Sequence, residues 1–202
     1  MIKWLFFDLG STLIDERDCE IFRFKDLLKQ SNTLKGTLKQ RIEAYVSQNK
    51  SPYKEILKQF NLKPMDWPIH LEKLYDGVIP VLEKLSKKYH LGIIANQELG
   101  LEERLKKYGI RTYFELVICS KEVGISKPEL GIFEIALKRS NCIPEEAYMI
   151  GDRLDNDIAP ATFLGMHTIW IRQGIFLNSN LERVDFKPEI IVYSIQDILK
   201  YL

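Results

Sequence analysis

Apolar positions along this chain fall into two kinds of block. Short, nearly continuous apolar runs occur at Trp4 to Phe7, Leu91 to Ala95, Phe114 to Cys119, Ala147 to Ile150, His167 to Ile171 and Ile190 to Val192. Runs this short and this apolar suit strands buried on both faces of a parallel sheet. Between them, apolar residues recur at helical spacing. Val78, Leu82, Leu85 and Tyr89 form one such stripe, Leu101 to Tyr108 another that Gly109 can end, Glu129 to Ser140 a third, and Asp155 to Leu164 a fourth closed by Gly165. The alternation predicts an α/β fold, a Rossmann-like parallel sheet with helices on both faces joined by right-handed crossovers. A last helix follows, at whose start Ser194-x-x-Asp197 resembles a capping box.

One interval breaks the alternation. From Glu16 to Tyr75 there is no strand pattern but there are three helical ones: Ile21 to Leu28, Leu38 to Val46, and a helix opened by Ser51 as N-cap and Pro52 at its first position. Lys63 to Pro68 reads as an irregular link, and Asp76-Gly77 as a turn back into the main pattern. The expected organisation is a core formed by residues 1–15 and 77–202, with residues 16–76 as a small all-α insertion. Apolar stripes in that insertion are read as its own core.

Composition narrows the functional classes. Lys and Arg total 29 against 28 Asp and Glu, so no global field recruits nucleic acid or a membrane surface. No apolar run approaches the ~20 residues of a membrane span, and the N-terminus enters a strand without a signal-peptide pattern. Cys19, Cys119 and Cys142 are odd in number and lack C-x-x-C spacing. That argues against a disulfide framework or zinc site and for a reducing, cytoplasmic setting.

Candidate chemistry gathers at strand ends. Asp8 ends the first apolar run, and Gly151-Asp152-Arg-Leu-Asp155-Asn-Asp157 ends a later one. In open α/β sheets ligands bind beyond the carboxyl ends of strands at the switch in strand order. Acids crowded there would repel unless a cation lay between them, and oxygen-only ligands favour Mg²⁺. Asp155, in the turn, is read as the cap of the next helix.

With these residues in hand, the sequence resembles the haloacid dehalogenase superfamily of hydrolases. That pattern runs D-x-D-x-T, a Ser or Thr ending the second strand, a Lys before a later helix, and G-D-x(3,4)-D. Here it is met by Asp8-Leu-Gly10-Ser-Thr12, Ser126-Lys127-Pro128, and Gly151-Asp152 with Asp155 and Asp157. The resemblance implies a phosphatase of a small phosphorylated metabolite, with residues 16–76 as its cap. Asp8 would be the nucleophile that becomes an aspartyl-phosphate, with Lys127 as the cation steadying the phosphate. The phosphate would lie against Leu9, Gly10, Ala95, Asn96 and Lys127. Mg²⁺ would be held by Asp8, the carbonyl of Gly10 and Asp152, with Asp157 as a further ligand or as a partner just outside the ligand set.

Two positions depart from the pattern. Gly10 replaces the second acid, which would protonate the leaving oxygen and then activate water, help worth ~10²–10⁴ in rate. Ala95 replaces the phosphate-binding hydroxyl. Asp15 is an alternative acid, though a hinge role into the insertion is the favoured reading. Two other functions stay open: a regulatory protein that keeps the phosphate and metal cradle without turnover, and dehalogenase or phosphonatase chemistry. The last would use a cap lysine, for which Lys25, Lys29 and Lys54 are available. Neither the substrate nor the oligomeric state is legible.

Overall fold

The computed structural model describes all residues 1–202. Eight strands and eight α-helices alternate much as the apolar blocks predict. The strands are β1 (Trp4–Phe7), β2 (Ile14–Asp15), β3 (Lys73–Leu74), β4 (His90–Ala95), β5 (Leu116–Cys119), β6 (Ala147–Gly151), β7 (His167–Ile171) and β8 (Ile190–Val192). The helices are α1 (Arg17–Gln30), α2 (Leu38–Val46), α3 (Pro52–Phe60), α4 (Val78–Leu85), α5 (Leu101–Lys107), α6 (Ser120–Val123), α7 (Leu130–Ser140) and α8 (Ala159–Phe163).

Six strands form one sheet in the order β5-β4-β1-β6-β7-β8. Every neighbouring pair is parallel, with Phe7 beside Ile93 on one side and Ile150 on the other. From β1 the chain steps outward through β4 and β5, then returns to the other side of β1 for β6, β7 and β8. The reversal therefore sits at the carboxyl end of β1, where a crevice opens between diverging connections.

Both faces of the sheet are covered, which is why its strands read as continuous apolar runs. One face packs Leu5, Phe7, Ile93 and Ile150 against α4 and α5, with Val78, Leu82, Leu101 and Leu105. The other packs Phe6, Ile94 and Met149 against α7 and α8, with Ile132, Phe133 and Ala161. The three helices of residues 17–60 have a cluster of their own, Phe24, Leu27, Leu34, Tyr53 and Ile56. The insertion's apolar stripes, including two of its aromatics, thus serve packing. It leaves and rejoins the sheet through β2 and β3, an antiparallel pair matching Ile14 with Leu74 and Asp15 with Lys73. Strands of two residues leave no periodicity to read.

Three local expectations are corrected. The segment before α8 is not regular α-helix: over Leu154–Ile158 the turns widen, and both Asp157 N and Ile158 N donate to the Arg153 carbonyl. Such widened turns are frequent at functional sites. The final helix is a 3₁₀ segment, Ile195–Lys200, and Ser194 Oγ donates to the Asp197 carboxylate at 2.8 Å instead of capping a backbone amide. Ser51 precedes α3 as expected, yet its side chain makes no capping hydrogen bond. No helix is long and apolar enough to cross a membrane.

Candidate functional site

Three carboxylates meet at the crevice. Asp8 follows β1 directly, Asp152 follows β6, and Asp157 reaches back from the widened turn; ligand atoms from all three lie within 4.8 Å of one another. Gly151 permits this, because a Cβ there would collide with the Asp157 carboxylate. Asp157 is fixed further by the Arg153 amide, which donates to its Oδ2 at 3.0 Å. Asp155, expected to cap the helix, instead takes hydrogen bonds from the Arg153 guanidinium, at 2.9 Å from Nε. Neither carboxylate caps the helix in the usual way; the wide turn points Asp157 inward, where it accepts the Arg153 amide.

Lys127 joins the acids. Its ammonium lies 2.5 Å from Asp8 Oδ1 and 2.6 Å from Asp157 Oδ1, and its side chain is buried. Burial disfavours the charge on Lys127, but Asp157 and Asp8 outweigh it and raise its pKa above the ordinary value. Burial likewise pushes Asp157 up to about 6, against the pull of Lys127. Asp152 is also held well above the ordinary range, first by burial and then by repulsion from Asp157 and Asp8, with no hydrogen bond to its carboxylate. Three carboxylates facing one ammonium leave negative charge uncompensated in a buried place. That donor set, all oxygen and under-neutralised, suits a hard divalent cation such as Mg²⁺.

The expected phosphate contacts divide. Gly10, Asn96 and Lys127 line the cleft. Leu9 and Ala95 do not bring their side chains to it; both are fully buried in the sheet core. What Leu9 retains is a backbone N–H bonded to no other part of the chain. Asn96 is largely committed elsewhere: its Oδ1 accepts the Lys127 amide at 2.7 Å and its Nδ2 donates to the Lys127 carbonyl at 2.8 Å. This side chain positions the loop that carries Lys127. Gln173, at the end of β7, donates to the carbonyls of Ser11 and Thr12, both at 2.9 Å, and so pins the turn after Asp8.

Several cleft residues were not anticipated. Glu16, Glu20 and Arg23 face the cleft from the start of α1, and Trp67 from the link after α3. The Arg23 guanidinium stacks 3.5 Å from the Tyr53 ring centroid and 4.8 Å from that of Trp67. Trp67 Nε1 donates to Glu72, which also receives Arg104 and the Tyr108 hydroxyl, joining the link to α5. Glu16 is held well above the ordinary carboxyl pKa by burial, then by Glu20 and Asp8, against a hydrogen bond from Ser11. Asp15 goes the other way. Burial would raise it, but the Arg17 guanidinium and amide, both bonded to its carboxylate, hold it below the ordinary range. Tied in this way and outside the cleft lining, Asp15 is placed as a junction residue. Of Lys25, Lys29 and Lys54, only Lys54 lines the cleft, where Lys50 joins it.

Comparison with known proteins identifies the family. A family model described as haloacid dehalogenase-like hydrolase matches residues 5–171, and the chain belongs to that family. A glyceraldehyde 3-phosphate phosphatase of Pyrococcus furiosus is 30% identical over 94% of this chain and 89% of its own length. A protein of the same name from Methanothermobacter thermautotrophicus is 40% identical, but that match spans 47% of this chain and 42% of the relative. A HAD phosphatase structure from Thermococcus onnurineus covers 98% of this chain and 97% of its own, with TM-score 0.69 and 24% identity, a likeness of fold.

Proposed function

We propose that this protein is a Mg²⁺-dependent phosphatase of a small phosphorylated metabolite, acting in the cytoplasm through an aspartyl-phosphate on Asp8. The observation that carries the reading is the placement of Asp8 against the Lys127 ammonium at 2.5 Å, beside two further buried carboxylates at the switch point of the sheet. Mg²⁺ held by Asp8, the Gly10 carbonyl, Asp152 and Asp157 would supply charge neutralisation between the incoming phosphate and the attacking carboxylate.

The chain's own groups account for the rest. Asp8 offers one carboxylate oxygen to phosphorus while Lys127 balances charge on the transferring group and keeps Asp8 oriented. The free Leu9 amide and the Gly10 turn offer donors to phosphate oxygens. Residues 16–76 serve as the cap, with Arg23, held between Tyr53 and Trp67, facing the part of the substrate beyond the phosphate. The Pyrococcus furiosus relative supports a short phosphorylated carbon skeleton such as glyceraldehyde 3-phosphate as substrate class. A dehalogenase needs no metal, and the acidic cluster at the cleft floor speaks against one.

The test is phosphate release from a panel of small phosphate esters, with and without Mg²⁺, for the parent and Asp8→Asn. The amide is nearly isosteric but a poor nucleophile, so turnover should fall by roughly 10³-fold or more with the fold intact. Equal turnover by both proteins would refute the aspartyl-phosphate route. Binding of phosphate and Mg²⁺ without turnover by the parent would select the regulatory reading.

A further inference from the structure

Gly10 reads in the sequence as a lost acid, yet its surroundings are not empty. A Cβ built on Gly10 would stand 2.5 Å from Oε1 and 2.7 Å from Oε2 of Glu16. The carboxyl group of Glu16 therefore fills the volume that a residue-10 side chain would enter. Gly10 is not among the residues with left-handed backbone angles, so what a side chain here would meet is the Glu16 carboxyl group, which it would have to displace.

The turn after Asp8 makes this approach possible. The Leu9 carbonyl accepts the amides of both Leu13 and Ile14 at 2.9 Å, and Ser11 takes a left-handed φ of 52°. The chain thereby doubles back through β2, and the residue just before α1 lands beside Gly10. Ser11 Oγ donates to Glu16 Oε2 at 3.3 Å and fixes one edge of the carboxyl group. No side chain donates to Oε1, and the group faces a cleft it shares with Asp8, Lys127 and Asp152.

We propose that Glu16 is the acid–base catalyst of this site, taking in space the role that residue 10 cannot take in sequence. The proposal rests on the phosphatase reading above. An Asp8 oxygen bonds to phosphorus as the bond from phosphorus to the ester oxygen breaks, and the Glu16 carboxyl proton passes to that oxygen, releasing an alcohol. The Glu16 carboxylate then takes a proton from water as the water oxygen bonds to phosphorus. The bond from phosphorus to Asp8 breaks, which frees inorganic phosphate and restores both side chains. Asp15 cannot serve instead, since Arg17 holds its carboxylate outside the cleft.

The experiment compares kcat/KM for an alkyl phosphate and for p-nitrophenyl phosphate, whose leaving group departs without a proton, in the parent, Glu16→Gln, Glu20→Gln and Gly10→Asp/Glu16→Ala. Since kcat/KM reports the step that forms the aspartyl-phosphate, Glu16→Gln should lose about 10²–10⁴ on the alkyl ester and only a few-fold on the aryl ester. With the aryl ester the variant should also show a burst, because the second step has lost its base. Gly10→Asp/Glu16→Ala, which exchanges the acid between the two positions, should recover alkyl turnover. A selective loss in Glu20→Gln instead of Glu16→Gln, or equal losses on both esters in Glu16→Gln, would overturn the assignment of Glu16 alone. A parent that hydrolyses neither ester would overturn the phosphatase reading together with it.

Discussion

Lys127→Met isolates the electrostatics of the site from its chemistry. Methionine keeps most of the buried stem and removes the ammonium that lies 2.5 Å from Asp8 and 2.6 Å from Asp157. Breaking a buried ion pair by deleting one partner costs about 3–5 kcal/mol, because the other partner stays buried and uncompensated. Here two carboxylates lose their partner together, and Asp152, already raised by burial and by repulsion from both, has none to lend. Set against a total stability of about 5–15 kcal/mol, the loss is large. At about 2–4 °C per kcal/mol for a chain of this size, the melting point should drop by roughly 6–20 °C. Urea unfolding at pH 8 in EDTA is the assay, and the midpoint should fall with little change in slope. Mg²⁺ should then stabilise the variant more than the parent, since it meets one more uncompensated charge, and each tenfold gain in affinity adds about 1.4 kcal/mol. An unchanged midpoint in EDTA, or a smaller Mg²⁺ effect on the variant, would refute the reading of Asp8, Lys127 and Asp157 as one charge-balanced unit.

Asp152→Asn should weaken Mg²⁺ binding by calorimetric titration far more than Asp155→Asn, because Asp155 is bound by Arg153 outside the acidic triad; equal losses would mean that the ligand set is wrong. Arg17→Ala should destabilise the junction by about 1–3 kcal/mol at pH 7, the cost of leaving the buried Asp15 carboxylate without its guanidinium. Asp15 has its folded-state pKa below the ordinary 3.8, so the stability it contributes is present above that value and is lost as pH falls through the folded-state pKa. The gap between parent and Arg17→Ala urea midpoints should therefore narrow below about pH 4, and a gap that stays constant down to pH 2.5 would remove Asp15 from the account.

What the sequence makes legible here is whatever a local pattern encodes. Strands buried on both faces must be apolar throughout, so β1, β4, β6 and β7 stand out, and polar residues at their ends are conspicuous for the same reason. Asp8 and Asp152 stand out as candidates on that ground, and Lys127 through its place in an ordered set of motifs. Asp155 and Asp157 were harder, since a regular helix and a widened turn have the same composition, and only the turn's geometry decides which carboxylate points inward. The pair β2 and β3 is too short for any period to register. Asn96 is the residue left to bind phosphate where Ala95 lacks a hydroxyl, while its amide is occupied by the backbone of residue 127, thirty-one positions away.

Gly10 and Glu16 show the limit most plainly. A motif compares residue types at fixed offsets, so an acid missing at position 10 counts as a loss. A folded turn is indifferent to offset: with Ser11 left-handed and Leu13 and Ile14 both bonded to the Leu9 carbonyl, a side chain six positions later enters the same volume from the other side. Read alone, glycine at position 10 argues for a protein that binds and does not turn over. Beside Glu16 it argues the reverse, because a side chain at position 10 would displace the carboxyl group already there. Gly10→Asp on its own is therefore expected to replace one acid by another and gain little, and a clean exchange of the acid between the two positions needs Glu16 removed at the same time.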